Sequence, residues 1–137
     1  MKYRFIEHTA DVKFQAFGNT KEEAFSNAAL ALFSVMTEAE SIEKNYEMKI
    51  RVESNKLTSL LYDFLEELLF YMDTEGLLLA HADSINITGN AGFVLEAIMK
   101  GDKVNKYDLN GDVKAITYNQ MEIKEDNGWM LQAVVDI

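Results

Sequence analysis

Two aspartates stand near opposite ends of this 137-residue chain: Asp11, in the stretch HTADV (residues 8–12), and Asp136, in the closing AVVDI. Ile137, the last residue, adds a main-chain carboxylate beside Asp136. Hard divalent cations take oxygen ligands, and several carboxylates supply both the ligands and the balancing charge. If a final strand runs beside HTADV, then Asp11, Asp136 and Ile137 converge into one oxygen-rich site. The simpler alternative is that acids near a C-terminus are only solvated. His8 lies three places before Asp11. Imidazole suits zinc better than calcium, so His8 reads as a hydrogen-bonding neighbour of such a site, or as a structural residue at a strand end.

Lys114, in DVKAITYNQMEI, alternates with apolar neighbours on an expected strand, with Thr117 and Tyr118 close by. A lysine there is either a solvated outward residue or a point charge that balances an acidic cluster or reaches a phosphate. DLNGD (Asp108 to Asp112) fails the spacing of a calcium loop and reads as a turn. There is no cysteine, no Gly-rich phosphate loop, no His-Glu-x-x-His and no Gly-x-Ser-x-Gly. A metal-dependent hydrolase built on His8 and Asp11 is short of general bases.

The formal net charge of −10 disfavours tight binding of RNA or DNA, which needs clustered Lys and Arg to release counterions from phosphates. It favours basic proteins or cations as partners, or serves solubility alone. A general chaperone or adaptor for RNA-processing proteins would use such a surface. The opening MKYRFIEH lacks the apolar core of a signal peptide, and no apolar run approaches the roughly 20 residues that cross a bilayer. A soluble, cytoplasmic protein is expected.

The elements that must position these residues follow from periodicity. Tyr3 to Glu7 and Val12 to Gly18 read as strands, with Val12, Phe14 and Ala16 on one face of the second. HTAD connects them. NTKEEAFSNAALALFSVM reads as a helix capped by Thr20, with Glu23 completing a capping box. YEMKIRV alternates, Tyr46, Met48, Ile50 and Val52 inward. KLTSLLYDFLEELLFYMD forms a second helix with a Leu57, Leu60, Leu61, Phe64, Leu65, Leu68, Met72 stripe, a cap at Asn55 or Ser54, and Gly76 after it. Hairpins follow at NAG and at Asn127-Gly128, with DKVNKYDLNGD between them as a loop. The expectation is α+β: a single domain over 1–137, with a largely antiparallel or mixed sheet covered by two helices.

Taken together, these residues resemble the archease family. The likeness rests on HTADV after a short strand, GNTKEEAFSNAA opening the first helix, LLYDFLEELLFYMDTEG in the second, VKAITY late in the chain, and the closing DI, in the family's order. No block suffices alone; the ordered set is specific. The resemblance implies a protein, not itself an enzyme, that activates the RNA-splicing ligase, the enzyme that joins tRNA halves. It promotes the ligase's covalent guanylate intermediate and supports multiple turnovers. The resemblance further implies a divalent metal, calcium, held by Asp11, Asp136 and Ile137, and a functional lysine at Lys114. The chain departs from the family at Asn119, where a histidine is usual, in NKYDLNGD, which lacks the family's common loop histidine, and at Phe64-Leu65-Glu66-Glu67, where Trp-Leu-Asn-Glu is common.

Overall fold

The structure is a computed structural model that describes residues 1–6 and 11–137. Among the described residues the order is β1 (Tyr3–Ile6), β2 (Val12–Gly18), α1 (Lys21–Ser34), β3 (Tyr46–Ser54), α2 (Leu57–Glu75), β4 (Leu77–Thr88), β5 (Phe93–Lys103), β6 (Ala115–Glu125) and β7 (Trp129–Asp136), with short 3-10 turns at Ala39–Ser41 and Val104–Lys106. The class is α+β, as expected. The strands, however, form two antiparallel sheets rather than one. A four-stranded sheet runs β1-β2-β7-β6, and a three-stranded sheet runs β3-β5-β4.

Both helices pack against both sheets. This explains why α1 is buried almost all round, Ala24, Phe25 and Ala28 to Phe33 included. A helix that meets protein on every side needs apolar residues on every side, not a stripe. Asn27 is buried with them and donates from Nδ2 to the Phe17 carbonyl at 2.6 Å. The α1 cap is as expected: the Glu23 amide donates to Thr20 Oγ1 at 3.1 Å, while Glu23 Oε1 reaches back to the Asn19 amide at 3.3 Å.

The α2 cap is not. Lys56 occupies the cap position without a side-chain bond, whereas the Ser54 and Ser59 hydroxyls pair with each other, and Ser59 Oγ donates to the Lys56 carbonyl at 3.1 Å. Gly76 ends α2 in the left-handed region at φ 63°, where a side chain is disfavoured. In β3, Ile50 and Val52 are buried as expected, but Tyr46 at the strand's start is exposed, its ring beneath Lys103 Nζ at 5.2 Å.

The segment read as a loop from Asp102 begins instead inside β5. Asp102 is fully buried; it accepts from the Tyr107 hydroxyl at 2.8 Å, the Lys103 amide at 2.9 Å and Lys106 Nζ at 3.2 Å. Burial pushes its carboxyl up, but these donors together with Asn45 outweigh burial and hold it below the ordinary value. Tyr107 in turn accepts from the Glu43 amide at 2.8 Å, and the Asn110 amide donates to the Met36 carbonyl at 2.7 Å. The segment that leads to Lys114 is thereby tied to the ends of α1 and β3.

Candidate functional site

The four-stranded sheet brings the chain's two extremities together. β2 and β7 pair antiparallel with Val12 opposite Val135, so Asp11 and Asp136 are the next residues along the two strands. On the other side of β7, Ala115 of β6 stands opposite Asp136, and the Lys114 amide donates to the Asp136 carbonyl at 2.8 Å. Ile137 follows at the end of β7. One end of the β2-β7-β6 ladder thus carries Asp11, Asp136, Ile137 and Lys114. Asp11 is half-buried; Asp136, Ile137 and Lys114 are exposed. Lys114 precedes β6 rather than alternating within it. His8 lies outside the described residues. Among the described residues, no group of three or more His, Cys, Asp and Glu side chains is arranged to hold a metal; the donor set here is two carboxylates and the main-chain oxygens of Ile137.

The other histidine, His81 on β4, lies far along the chain and works structurally. Its Nε2 meets the Ile42 carbonyl at 2.7 Å. Burial lowers its pKa, with the Ile42 carbonyl opposing and Lys44 and Lys2 reinforcing.

Periodicity does not reveal what happens in β6. Its register jumps between Thr117, opposite Val134, and Glu122, opposite Gln132, so residues 118–121 stand against the single residue Ala133. Such bulges bend a strand and re-aim its side chains. Gln120 takes up a left-handed backbone at φ 55°, uncommon for any residue but glycine. Two bonds hold it there: Lys13 Nζ to Gln120 Oε1 at 2.7 Å, and Gln132 Nε2 to the Gln120 carbonyl at 2.8 Å. Gln15 Nε2 donates to Gln132 Oε1 at 2.8 Å, and Arg4 Nε to Gln15 Oε1 at 2.8 Å. A chain of hydrogen bonds from Arg4 through Gln15 and Gln132 to Gln120 therefore crosses all four strands. Asn119 is exposed in this bulge, its amide 3.3 Å from Thr117 Oγ1.

The bulge also turns Tyr118 onto α2. Tyr62 and Tyr118 stack with ring centroids 4.1 Å apart and planes 7° from parallel. Tyr62 hydrogen-bonds Glu66, which also accepts from the Ile116 amide at 3.4 Å. Burial raises both tyrosines, helped by Glu66 at Tyr62 and by the Asp63 charge at Tyr118. Burial also raises Asp63. An aromatic on a strand and another on a helix, more than fifty residues apart, give no sequence signal that they meet.

Comparison with known proteins supports one grouping. The model of the archease protein family matches residues 3–137. Archeases from Pyrococcus furiosus and Pyrobaculum islandicum are 43% and 41% identical to the chain, covering 99% and 98% of it and 99% and 95% of their own lengths. The solution structure of a Methanobacterium thermoautotrophicum protein superposes with a TM-score of 0.84 at 34% identity, over 99% of both chains. The crystal structure of a Thermotoga maritima archease, described as a possible chaperone, shares the fold at a TM-score of 0.62 and 20% identity, over 96% of this chain and 94% of that one.

Proposed function

The chain belongs to the archease family, and from that premise we propose that it is a cytoplasmic protein cofactor of the RNA-splicing ligase, promoting the ligase's guanylylation and its multiple turnover. The working part is the tip: Asp11, Asp136, Ile137 and Lys114. What supports this reading is the register of β2, β7 and β6, which leads all four residues to one end of one sheet.

The donor chemistry fits a hard divalent ion. Two carboxylates and main-chain oxygens suit calcium or magnesium better than zinc. Carboxylates on neighbouring strand ends repel one another. Asp11, Asp136 and Ile137 would hold the ion, calcium in our reading, which would supply the positive charge that balances them. The chain's own residues do the rest. The Lys114 amide clamps the end of β7 through the Asp136 carbonyl, and its exposed ammonium orients phosphate or a partner carboxylate as a point charge. The amide chain through Gln120, Gln132 and Gln15 keeps the three strands in register behind the tip.

The test is ligase guanylylation and multiple-turnover RNA ligation with Asp11→Ala, Asp136→Ala and Lys114→Ala at matched folded concentrations. A version extended by a few residues beyond Ile137 belongs in the set. Stimulation should fall at least tenfold in each single variant. Undiminished stimulation by all of them removes the tip from the function.

A further inference from the structure

The face that α2 turns to solvent differs from the rest of the surface. No Lys or Arg occurs between Lys56 and Lys100, while α2 alone carries Asp63, Glu66, Glu67, Asp73 and Glu75. Elsewhere strand carboxylates find cations: Glu47 and Asp83 with Lys100, Glu53 with Arg51, Glu122 with Lys124. Among the described residues no ion pair reaches an α2 carboxylate. In the middle of this face Phe70 is 53% exposed. At helical spacing, Glu66 and Glu67 lie one turn before it, Asp73 one turn after it, and Asp63 two turns before. Tyr118, stacked on Tyr62 at the upper end, is 55% exposed.

We propose that this face, Phe70 with its carboxylate rim and the Tyr62–Tyr118 stack, docks an arginine-bearing surface of a protein partner. The buried half of each ring packs within the chain, Phe70 edge-on to Tyr71 and Tyr118 on Tyr62, but the exposed half finds no partner there, and large aromatics with a polar rim are the anchors of protein interfaces. A rim of one sign selects a partner of the opposite sign. Arginine suits it better than lysine, because a guanidinium lies flat on a tyrosine face while pairing with a carboxylate. The same sign excludes nucleic-acid phosphates and anionic lipid. The face adjoins the tip, since Glu66 meets the Ile116 amide two residues beyond Lys114. In this respect the inference rests on the proposed function: the partner is the same ligase, held by α2 while the tip acts.

The experiment separates holding from acting. Fluorescently labelled wild-type chain is titrated with the ligase, and guanylylation is measured at saturation. The triple variant Asp63→Asn/Glu67→Gln/Phe70→Ala, checked for unchanged circular dichroism and unfolding midpoint, should raise Kd at least tenfold and leave stimulation at saturation intact. Lys114→Ala should do the reverse. An unchanged Kd for the triple variant overturns the docking face while leaving the tip untouched. In a second arm, hexa-arginine and hexalysine peptides are titrated into the wild type and Tyr118→Ala. Hexa-arginine should bind several-fold more tightly, and Tyr118→Ala should erase the difference. If wild-type chain neither binds nor stimulates the ligase, the proposed function fails. The peptide arm then decides alone: an arginine preference carried by Tyr118 upholds the surface, and equal binding of the two peptides overturns it.

Discussion

Replacing Gly101 by alanine tests how β5 is seated against β4. A Cβ at Gly101 would lie 1.7 Å from the Leu78 carbonyl oxygen, 2.6 Å from its carbon and 2.9 Å from the Leu79 Cα. The close approach arises where the β4–β5 register shifts, between Leu78 and His81. Leu78 and Leu79 are fully buried, so neither strand can retreat into solvent. Overpacking against side chains costs about 1–3 kcal/mol. A backbone carbonyl cannot rotate aside as a side chain can, which puts this case at about 3 kcal/mol. With an unfolding entropy of about 2.1 cal/mol/K per residue, the chain of 137 residues has about 0.29 kcal/mol/K in all, and 3 kcal/mol lowers Tm by about 10 °C. Gly92→Ala is the control, because a Cβ there meets nothing within 4 Å; it should stay within about 0.5 kcal/mol of the wild type. Calorimetry and urea unfolding on both variants read the difference. If Gly101→Ala unfolds within about 1 kcal/mol of the wild type, the strands are not locked at this point.

Calcium at about 100 times its Kd should stabilise the wild type by about 2.7 kcal/mol, or roughly 9 °C in Tm; equal shifts in wild type and Asp136→Asn would count against the tip as its site. His81 has a folded pKa lowered by burial. Its share of stability is therefore fully present above the ordinary value of about 6.5 and is lost as pH falls through the lower folded value. Urea midpoints between pH 7.5 and 5 should decline more steeply for the wild type than for His81→Gln, and parallel declines would show that His81 is not the group responsible. Thr20→Ala removes the acceptor of the Glu23 amide and should cost about 1 kcal/mol, read in the same denaturation assay.

Much of the fold was legible because local rules act over short distances. The Thr20 cap, the Gly76 terminator, both hairpins and the alternation of Ile50 and Val52 are each decided within a few residues. The division into two sheets was not legible, since it depends on which strands meet across the chain. Asp102 was misplaced into a loop because Gly101-Asp102 has the composition of a turn. Only the tertiary fold reveals that Tyr107, Lys106 and Asn45 satisfy a carboxylate carried inside. The β6 bulge was hidden for a similar reason: Gln120 adopts φ 55° because Lys13 and Gln132 hold it, not from any preference of glutamine. At the tip, chemistry singled out Asp11, Asp136 and Ile137, and the resemblance added the lysine role of Lys114. The two flanking ladders were needed to bring their backbones side by side.

The position of β7 between β2 and β6 bears on how the molecule is made. Gln15 and Gln132, side by side in the finished sheet, are 117 residues apart along the chain. While a ribosome is still adding residues 129–136, β2 has β1 on one flank and an open edge on the other, and β6 has no neighbour within its sheet. Contacts this distant in sequence are slow to close, and an open edge invites pairing with a foreign strand. The tip is thus among the last features to assemble, and a polypeptide truncated before residue 129 cannot form it.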